Sequence, residues 1–246
     1  MLPNTGIILT RPAAQAQAVA RLIEAAGGRA LLFPALEIFE HDPPPETRAI
    51  LNDADIAIFI SANAVEFGLR YVKNSLPKRL RLAAIGKTTA QALEVKGYRD
   101  IIVPDSGADS DALLESDALQ TVSGERIVIF RGVGGRETLR SVLCQRGAKV
   151  AYIECYTRRS PDVSTRQVAD LLQRNDIAAI QVLSRETLEN FCRMIGIEGM
   201  TLLRHKPLLV PHPAVLEGAR ILGFDDVIVT GFGDSGLIAA LQQRFG

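Results

Sequence analysis

The stretch ILTRPAAQAQAVARLIEAAGGRALLFPALEIF, residues 8–39, shows the pattern on which the whole chain is built. A short apolar run precedes Arg11, a helical pattern follows, and Gly27 stands where a helix C-cap belongs, before the next apolar run. Residues 128–156, VIFRGVGGRETLRSVLCQRGAKVAYIECY, repeat this order, with Arg131 in the place of Arg11, 120 positions later. We therefore interpret the chain as two diverged copies of one βα-rich unit.

The repeat continues beyond that stretch and predicts the fold class. Residues 55–65, DIAIFISANAV, resemble residues 176–188, DIAAIQVLSRETL, which pairs Ser61 with Ser184. Strands that are covered on both faces of a sheet appear as continuous apolar runs, and runs of this kind alternate here with helical segments. The sequence thus predicts an α/β fold with two similar lobes, each with a parallel sheet flanked by helices, and a cleft between the lobes.

Two short segments have a different pattern and are candidates for the connection between the lobes. Residues 35–40 (ALEIFE) and 151–158 (AYIECYTR) alternate apolar and polar side chains. Segments of this type can pair as antiparallel strands. We expect a two-stranded linker.

Composition and charge exclude several classes of function. The chain has 28 Lys+Arg and 28 Asp+Glu, so it lacks the basic excess typical of nucleic-acid-binding proteins. Its three cysteines form no C-x-x-C pair, and its three histidines have no metal-ligand spacing. No run reaches the ~18 apolar residues of a membrane span, and the first residues do not form a signal peptide. We expect a cytoplasmic protein that binds neither nucleic acid, membrane nor metal.

The loops that follow the predicted strands are where α/β sheets bind ligands. Each loop opens a helix, so its backbone N–H groups favour anions. Small, hydroxyl-bearing or glycine residues predominate in these loops, at 10–12, 61–63, 86–89, 105–110, 131–136, 184–185, 211–213 and 231–236. Because the same residue types are ordinary helix caps, capping is the alternative role for any one of them.

Two glycine-rich stretches resemble nucleotide sites but lack the required context. Gly86, Lys87 and Thr88 look like the end of a P-loop. Arg81, however, stands where the first glycine of that motif belongs. The GFGDSG sequence at 231–236 satisfies G-x-G-x-x-G, yet the ten residues after it supply neither a second strand nor an acidic ribose ligand. We expect no nucleotide cofactor. A nucleotide-dependent transferase is therefore a weaker hypothesis than the two functions considered below.

An ordered set of motifs runs through essentially the whole chain. It comprises TRP at 10–12, FISANAV at 59–65, Ile85-Gly86 with Thr89-Ala90, GERIVIFRG at 124–132 with Gly135, Arg136 and Leu139, Gly147-Ala148 leading to Tyr156, and VLS at 182–184. Each motif is weak alone, but the ordered set resembles the uroporphyrinogen-III synthase family.

The resemblance implies a cofactor-free lyase of porphyrin and haem biosynthesis. Its implied substrate is hydroxymethylbilane, a linear tetrapyrrole with acetate and propionate arms. The implied reaction closes this chain to uroporphyrinogen III, with loss of water and inversion of ring D through a spiro intermediate. The pyrroles supply the electrons, so the protein has to supply a proton donor and a shaped cavity. The resemblance further leads us to expect a monomer that contacts the preceding pathway enzyme transiently.

Site residues are carried over from the family one position at a time. Tyr156 matches the position of the family's proposed acid. A phenol is protonated at neutral pH and can therefore donate a proton. Packing is the alternative role for this tyrosine. Ser61 and Thr89 match loop positions that face the cleft in one lobe, and Ser184 matches one in the other.

Arg11 and Arg131 lie at matching loops and would attract substrate carboxylates, with a salt bridge at a strand end as the alternative. The remaining predicted substrate-binding residues are Asn63, Gly86, Gly132, Arg136 and His212. His212 lies in VPHPA at 210–214, where related proteins often carry a Gly/Ser-x-Thr loop, and it is the candidate replacement for that hydroxyl.

The family architecture also implies a division of the chain. One lobe would join residues 1–35 to 160–246, the other would hold 44–150, and the linker strands would lie at 36–43 and 151–159. Each lobe would then borrow its first βα unit across the duplication. A non-enzymatic, bilobed small-molecule-binding domain is the alternative function, because a fold alone does not determine an activity.

Overall fold

The computed structural model describes residues 1–2, 5–73, 75–162, 164–231 and 233–246. The strands are β1 (Gly6–Leu9), β2 (Arg29–Leu32), β3 (Glu37–Glu40), β4 (Ile56–Phe59), β5 (Arg81–Ala84), β6 (Ile101–Ile102), β7 (Arg126–Gly132), β8 (Lys149–Arg159), β9 (Ile177–Gln181), β10 (Leu208–Val210) and β11 (Val227–Val229). The helices are α1 (Ala13–Ala25), α2 (Thr47–Asp53), α3 (Ala62–Tyr71), α4 (Lys87–Val95), α5 (Ser110–Leu114), α6 (Asp117–Gln120), α7 (Thr138–Gln145), α8 (Thr165–Leu172), α9 (Arg185–Leu203), α10 (Pro213–Ile221) and α11 (Gly233–Phe245).

The chain forms two compact units, of which one is discontinuous. Unit 1 comprises Met1–Glu37 and Arg159–Gly246, and unit 2 comprises Ile38–Arg158. Strands β3 and β8, which contain most of the predicted linker, are neighbours in one sheet, and β8 is a single continuous strand of 11 residues. Their role as a linker, and the lobe boundaries inferred from the family, stay predictions.

Each unit is built on a parallel sheet, which confirms the α/β fold predicted from the sequence. Among the described residues, unit 1 has the strand order β11-β10-β9-β1-β2, and all four neighbouring pairs are parallel. Unit 2 has the order β3-β8-β7-β4-β5-β6. Its four neighbouring pairs β8–β7, β7–β4, β4–β5 and β5–β6 are parallel. The sequence repeat matches β7 to β1, β8 to β2 and β4 to β9, so both sheets have the same spatial order.

Both faces of each sheet are covered, which explains the continuous apolar runs. In β1, Ile8 belongs to one buried cluster, whereas Ile7 and Leu9 belong to the cluster on the other face. In unit 2, Phe59 of β4 stacks on Phe130 of β7 with ring centroids 4.4 Å apart. A Cβ atom at Gly68 would lie 2.5 Å from Phe130 Cδ1, so only glycine lets α3 approach this stack.

The strand order determines where a ligand site is expected in each unit. In unit 1, the chain passes from β1 to β2 on one side of the sheet and from β9 to β10 on the other side. In unit 2, it likewise passes from β7 to β8 on one side and from β4 to β5 on the other. Ligands of open parallel sheets bind at such a switch point, beyond the carboxyl ends of the strands. In the described ranges, no helix has both the length and the apolar character needed to cross a membrane.

Candidate functional site

At the switch point of unit 2, Tyr156 lies directly beside Gly132. The two residues are register partners on β8 and β7, just after a shift in register at Arg131. A Cβ atom on Gly132 would lie 2.7 Å from Tyr156 Cε2. Glycine at position 132 is therefore what allows the tyrosine ring to pack this closely against the end of β7.

The Tyr156 hydroxyl has two polar side-chain neighbours. Ser61 Oγ lies 3.0 Å from it, and Arg158 Nη2 donates to it over 3.4 Å. The Tyr156 side chain is buried, with the Phe67 ring 6.0 Å away between centroids. Ser61 Oγ also accepts a hydrogen bond from the backbone N–H of Ala64, which makes Ser61 the N-cap of α3.

This arrangement can release a proton and hold the charge that remains. Because a guanidinium has no acceptor, the Tyr156 oxygen must be the acceptor in its contact with Arg158. The Ser61 hydroxyl can donate to the same oxygen while its lone pair caps α3. Two donors can thus stabilise a phenolate at Tyr156. The adjacent thiol is not a competing group, because burial raises the pKa of Cys155 to about 12.

Arg131, at the end of β7, is bound within its own loop. Its Nε donates to Gly132 O over 3.2 Å, its Nη1 pairs with Glu137 Oε1 at 2.9 Å, and its Nη2 donates to Gly134 O. The guanidinium also lies 4.3 Å above the centroid of the Tyr152 ring. The predicted salt-bridge alternative is therefore present, and substrate binding by Arg131 stays a prediction.

The hydrogen bond from Tyr152 to Glu137 strengthens the same network. The Tyr152 hydroxyl donates to Glu137 Oε2 over 2.8 Å. This bond, together with the bond from Arg131, holds the pKa of Glu137 below its usual value. Burial and the neighbouring carboxylate raise the pKa of Tyr152 to about 12, so Tyr152 remains a neutral donor.

The other predicted residues of unit 2 lie at the starts of helices or in the loop after β7. Asn63 is half-buried in the first turn of α3. Gly86 is the buried N-cap of α4, and Thr89 is buried in its first turn. Arg136 is exposed in the loop between β7 and α7. The structure thus gathers these residues at the carboxyl ends of the unit 2 strands, and their contacts with substrate stay predictions.

Three predicted residues lie at the equivalent edge of unit 1. Ser184 caps α9 by accepting from Thr187 N over 3.1 Å, and His212 caps α10 by accepting from Ala214 N at Nδ1 over 3.0 Å. Arg11 is buried and pairs with Asp234 of α11 at 2.8 Å. Each residue thus has a structural partner, and a role toward substrate stays a prediction for all three.

The described residues offer no metal centre, and the last glycine of GFGDSG has a packing role. No group of three or more His, Cys, Asp or Glu side chains within the described ranges is placed to hold a metal ion. A Cβ atom at Gly236 would lie 2.2 Å from the carbonyl carbon of Gly231, so this glycine permits close backbone contact. Phe232 of the same motif lies outside the described residues.

Arg158 and Gln181 were not among the predicted site residues, although the sequence pattern indicates each of them. Arg158 is two positions after Tyr156, and residues two apart on a strand point to the same face. Gln181 is a polar residue at the end of a buried strand, and the repeat places Ile58 at its equivalent position.

Comparison with known proteins identifies the family. A family model described as uroporphyrinogen-III synthase HemD matches residues 17–239. This chain belongs to the uroporphyrinogen-III synthase family. The uroporphyrinogen-III synthase of Escherichia coli is 31% identical over 96% of this chain and 99% of its own length. That of Salmonella typhimurium is 33% identical over the same shares. These matches do not favour the alternative of a domain that only binds small molecules.

Solved structures of the family share the fold. Uroporphyrinogen-III synthetase from Helicobacter pylori matches with a TM-score of 0.67 at 14% identity, covering 98% of this chain and 100% of that one. A mutant synthase from Thermus thermophilus matches with a TM-score of 0.62 at 19% identity, covering 98% and 99%. At these identities, the structural similarity supports the α/β fold alone.

Proposed function

We propose that this chain converts hydroxymethylbilane to uroporphyrinogen III, with loss of water and inversion of ring D, in porphyrin and haem biosynthesis. Family membership over residues 17–239 supports the reaction, as do the names of relatives at 31% and 33% identity. The structural observation that carries the chemistry is the Tyr156 hydroxyl, 3.0 Å from Ser61 Oγ and 3.4 Å from Arg158 Nη2.

In the first proposed step, Tyr156 gives its proton to the terminal hydroxyl of the substrate. The carbon–oxygen bond breaks, water leaves, and the adjacent pyrrole nitrogen supplies the electron pair that forms an azafulvene cation. Ser61 O–H and Arg158 N–H then donate to the phenolate, which limits the free-energy cost of forming it. General acids of this kind typically contribute roughly 10²–10⁴-fold to a rate.

In the following steps, the electrons come from the substrate and the protein controls the geometry. The substituted carbon of ring D attacks the cation to give a spiro intermediate, which fragments and recombines with the ring inverted. The carbon that re-aromatises at the end loses a proton, which the Tyr156 phenolate can accept, and this restores the phenol. Holding a substrate in a reactive geometry is worth about 7–11 kcal/mol in the best intramolecular models.

The strand-end loops are proposed to bind the substrate's carboxylates. In unit 2, the proposed contacts come from Ser61, Asn63, Gly86, Thr89, Arg131, Gly132 and Arg136. In unit 1, they come from Arg11, Ser184 and His212. The positions of these residues support the proposal, since helix N-termini present free N–H groups and positive potential to anions.

The decisive experiment supplies purified protein with hydroxymethylbilane, without any added cofactor, and separates the ring isomers. We expect the type III isomer in excess over a heat-denatured control, in which the bilane closes without inverting ring D. Formation of the type I isomer alone by folded protein would contradict the proposed function.

We also propose that the protein works in the cytoplasm as a monomer. Cys144, Cys155 and Cys192 are free thiols, which is usual in a reducing compartment. Light scattering after gel filtration measures the oligomeric state. Transient contact with the enzyme that releases hydroxymethylbilane also stays a prediction, and faster transfer of bilane in a mixture of the two enzymes would support it.

A further inference from the structure

A small cavity lies at the switch point of unit 1. It has a volume of about 210 Å³ and lies at the carboxyl ends of β1, β9, β10 and β11. Arg11, Gln181 and Asp234 supply polar parts of its wall, and Leu209 and Leu237 supply apolar parts. Pockets for whole ligands usually have roughly 300–1,000 Å³, so this cavity suits a side arm of a larger molecule.

The cavity coincides with an unusual pair of unpartnered atoms. Across the described ranges, the buried side-chain polar atoms without a hydrogen-bond partner are Arg11 Nε and Gln181 Oε1. Both residues line this cavity, and they are 8% and 3% exposed. A buried polar group left unpaired costs about 1–3 kcal/mol. An acceptor that reaches Arg11 Nε would remove the arginine's part of this cost, whereas Gln181 Oε1 would need a donor or a turn of its amide.

The geometry of Arg11 indicates the chemical class of that group. Arg11 Nη1 binds Asp234 Oδ1 at 2.8 Å, whereas Nε belongs to the opposite edge of the guanidinium. A carboxylate binds such an edge side-on through parallel hydrogen bonds. A half-turn of the Gln181 amide presents its NH₂ group in place of its oxygen, which adds a donor for the same carboxylate. Leu209 and Leu237 match an aliphatic stem.

Among the described residues of unit 2, Arg131 and Ile58 take the equivalent places and do not reproduce this arrangement, so the arrangement does not follow from the fold alone. All three guanidinium nitrogens of Arg131 donate to atoms of the following loop. The counterpart of Gln181 is the buried, apolar Ile58. The open arginine edge and the buried amide therefore occur together in unit 1.

We propose that this cavity is a subsite of unit 1 that binds one short carboxylate arm of the substrate through Arg11 and Gln181. The identity of the arm, an acetate or a propionate, rests on the proposed function. The subsite would hold one arm of the substrate. It would also give Arg11 a role that Arg131, its equivalent in the sequence repeat, does not have.

Kinetics of Arg11→Gln and Gln181→Met test the subsite. We expect KM for hydroxymethylbilane to rise about 10–100-fold in Arg11→Gln, the loss typical of a charge-assisted hydrogen bond, with a smaller change in kcat. Gln181→Met nearly keeps the shape but removes the unpaired amide. We expect Gln181→Met to raise KM about 3–10-fold while the free protein melts at the same or a higher temperature.

Arg174→Gln is the matched control, because Arg174 pairs with Asp176 at 2.9 Å at the opposite end of β9. We expect its KM to match that of the unmodified chain. An unchanged KM in folded Arg11→Gln and Gln181→Met would overturn the subsite, as would a fall in kcat alone. So would a Gln181→Met variant that melts at a lower temperature without any change in KM.

Binding of uroporphyrin III, followed by fluorescence, separates failure of the subsite from failure of the proposed function. This probe carries the same acidic arms and requires no turnover. We expect its Kd to rise in both variants and not in Arg174→Gln. A protein that forms no type III isomer contradicts the proposed function, whereas an equal Kd in all four proteins contradicts the subsite.

Discussion

Arg11 and Arg131 hold the same place in the two copies of the repeat, yet their surroundings differ. Arg131 in unit 2 donates to two carbonyls and a carboxylate of its own loop. Arg11 in unit 1 has one carboxylate partner and keeps a buried Nε without a partner. Duplication thus preserved the position of a charge, while the loop that follows it decides how many of the guanidinium donors already have a partner within the protein.

The comparison extends to the reacting group. Tyr156 of unit 2 has its counterpart in the repeat at Leu36, an apolar and buried residue. At the positions that the repeat makes equivalent, unit 1 therefore has Leu36 in place of the phenol, and Arg131 of unit 2 has no open edge. Under the proposed function, the proton donor lies in unit 2 and the single-arm subsite lies in unit 1, while strand-end loops of both units contact the other carboxylates.

The largest expected effect tests whether proton transfer belongs to unit 2. Tyr156→Phe removes the proposed donor and should lower kcat by about 10²–10⁴-fold, with little change in melting temperature. Tyr71→Phe removes a phenol at a half-buried position of the same unit, where the hydroxyl contacts Pro44 O at 3.5 Å. We expect that control to keep its activity. A Tyr156→Phe enzyme of normal rate would assign the proton to another donor.

The next effect concerns the matched strands β4 and β9, which carry Ile58 and Gln181 at equivalent positions. Ile58→Gln gives unit 2 the residue that unit 1 has at Gln181. Because Ile58 is fully buried, the new amide would lose apolar contacts and lack a partner. We expect the free energy of unfolding to fall by about 3 kcal/mol in urea titrations. A loss near zero would show that an unpaired amide is harmless here, which would weaken the argument for Gln181.

A smaller effect concerns the support of the phenolate. Arg158→Gln should lower kcat about 3–10-fold, as expected for one long hydrogen bond, of 3.4 Å, that an exposed arginine donates to the phenolate. In the Tyr156→Phe background, the same substitution should have no further effect on kcat, because the oxygen that it stabilises is absent. Additive losses in the double variant would mean that Arg158 acts independently of Tyr156.

The smallest effect tests whether the arginine network of unit 2 stabilises the fold. Tyr152 and Arg131 hold the pKa of Glu137 below its ordinary value of 4.5. A carboxylate with a lowered folded-state pKa stabilises the protein above its unfolded-state pKa, and this contribution is lost as the pH falls through the lowered value. Glu137→Gln should therefore melt slightly below the unmodified chain at pH 7, and the gap should close in acid. A gap that persists at pH 3 would contradict the ionic explanation.

Local patterns in the sequence were sufficient for the fold. Apolar runs and glycine caps located the strands and helices, and the repeat anticipated two similar parallel sheets. The family architecture set residues 151–159 apart as a linker strand, whereas β8 runs unbroken from Lys149 to Arg159, because β7 pairs with it as far as Tyr156.

The candidate site was harder to predict from the sequence, because its decisive contacts join residues that lie far apart along the chain. Ser61 meets Tyr156 across 95 positions, and Arg11 meets Asp234 across 223. Neither the open edge of Arg11 nor the closed network of Arg131 follows from the residue types. Gln181 was detectable in principle, since the repeat sets it against Ile58.

The discontinuity of unit 1 has a consequence for how the protein is made. A ribosome produces β1 and α1 before unit 2, but β9, which pairs with β1 at the centre of the sheet, is made only after all of unit 2. Unit 2 is contiguous and can complete its sheet during synthesis, whereas the nascent β1 and β2 must wait with an open strand edge. Slow translation through residues 38–158 would therefore prolong the period in which the growing chain is most prone to aggregate.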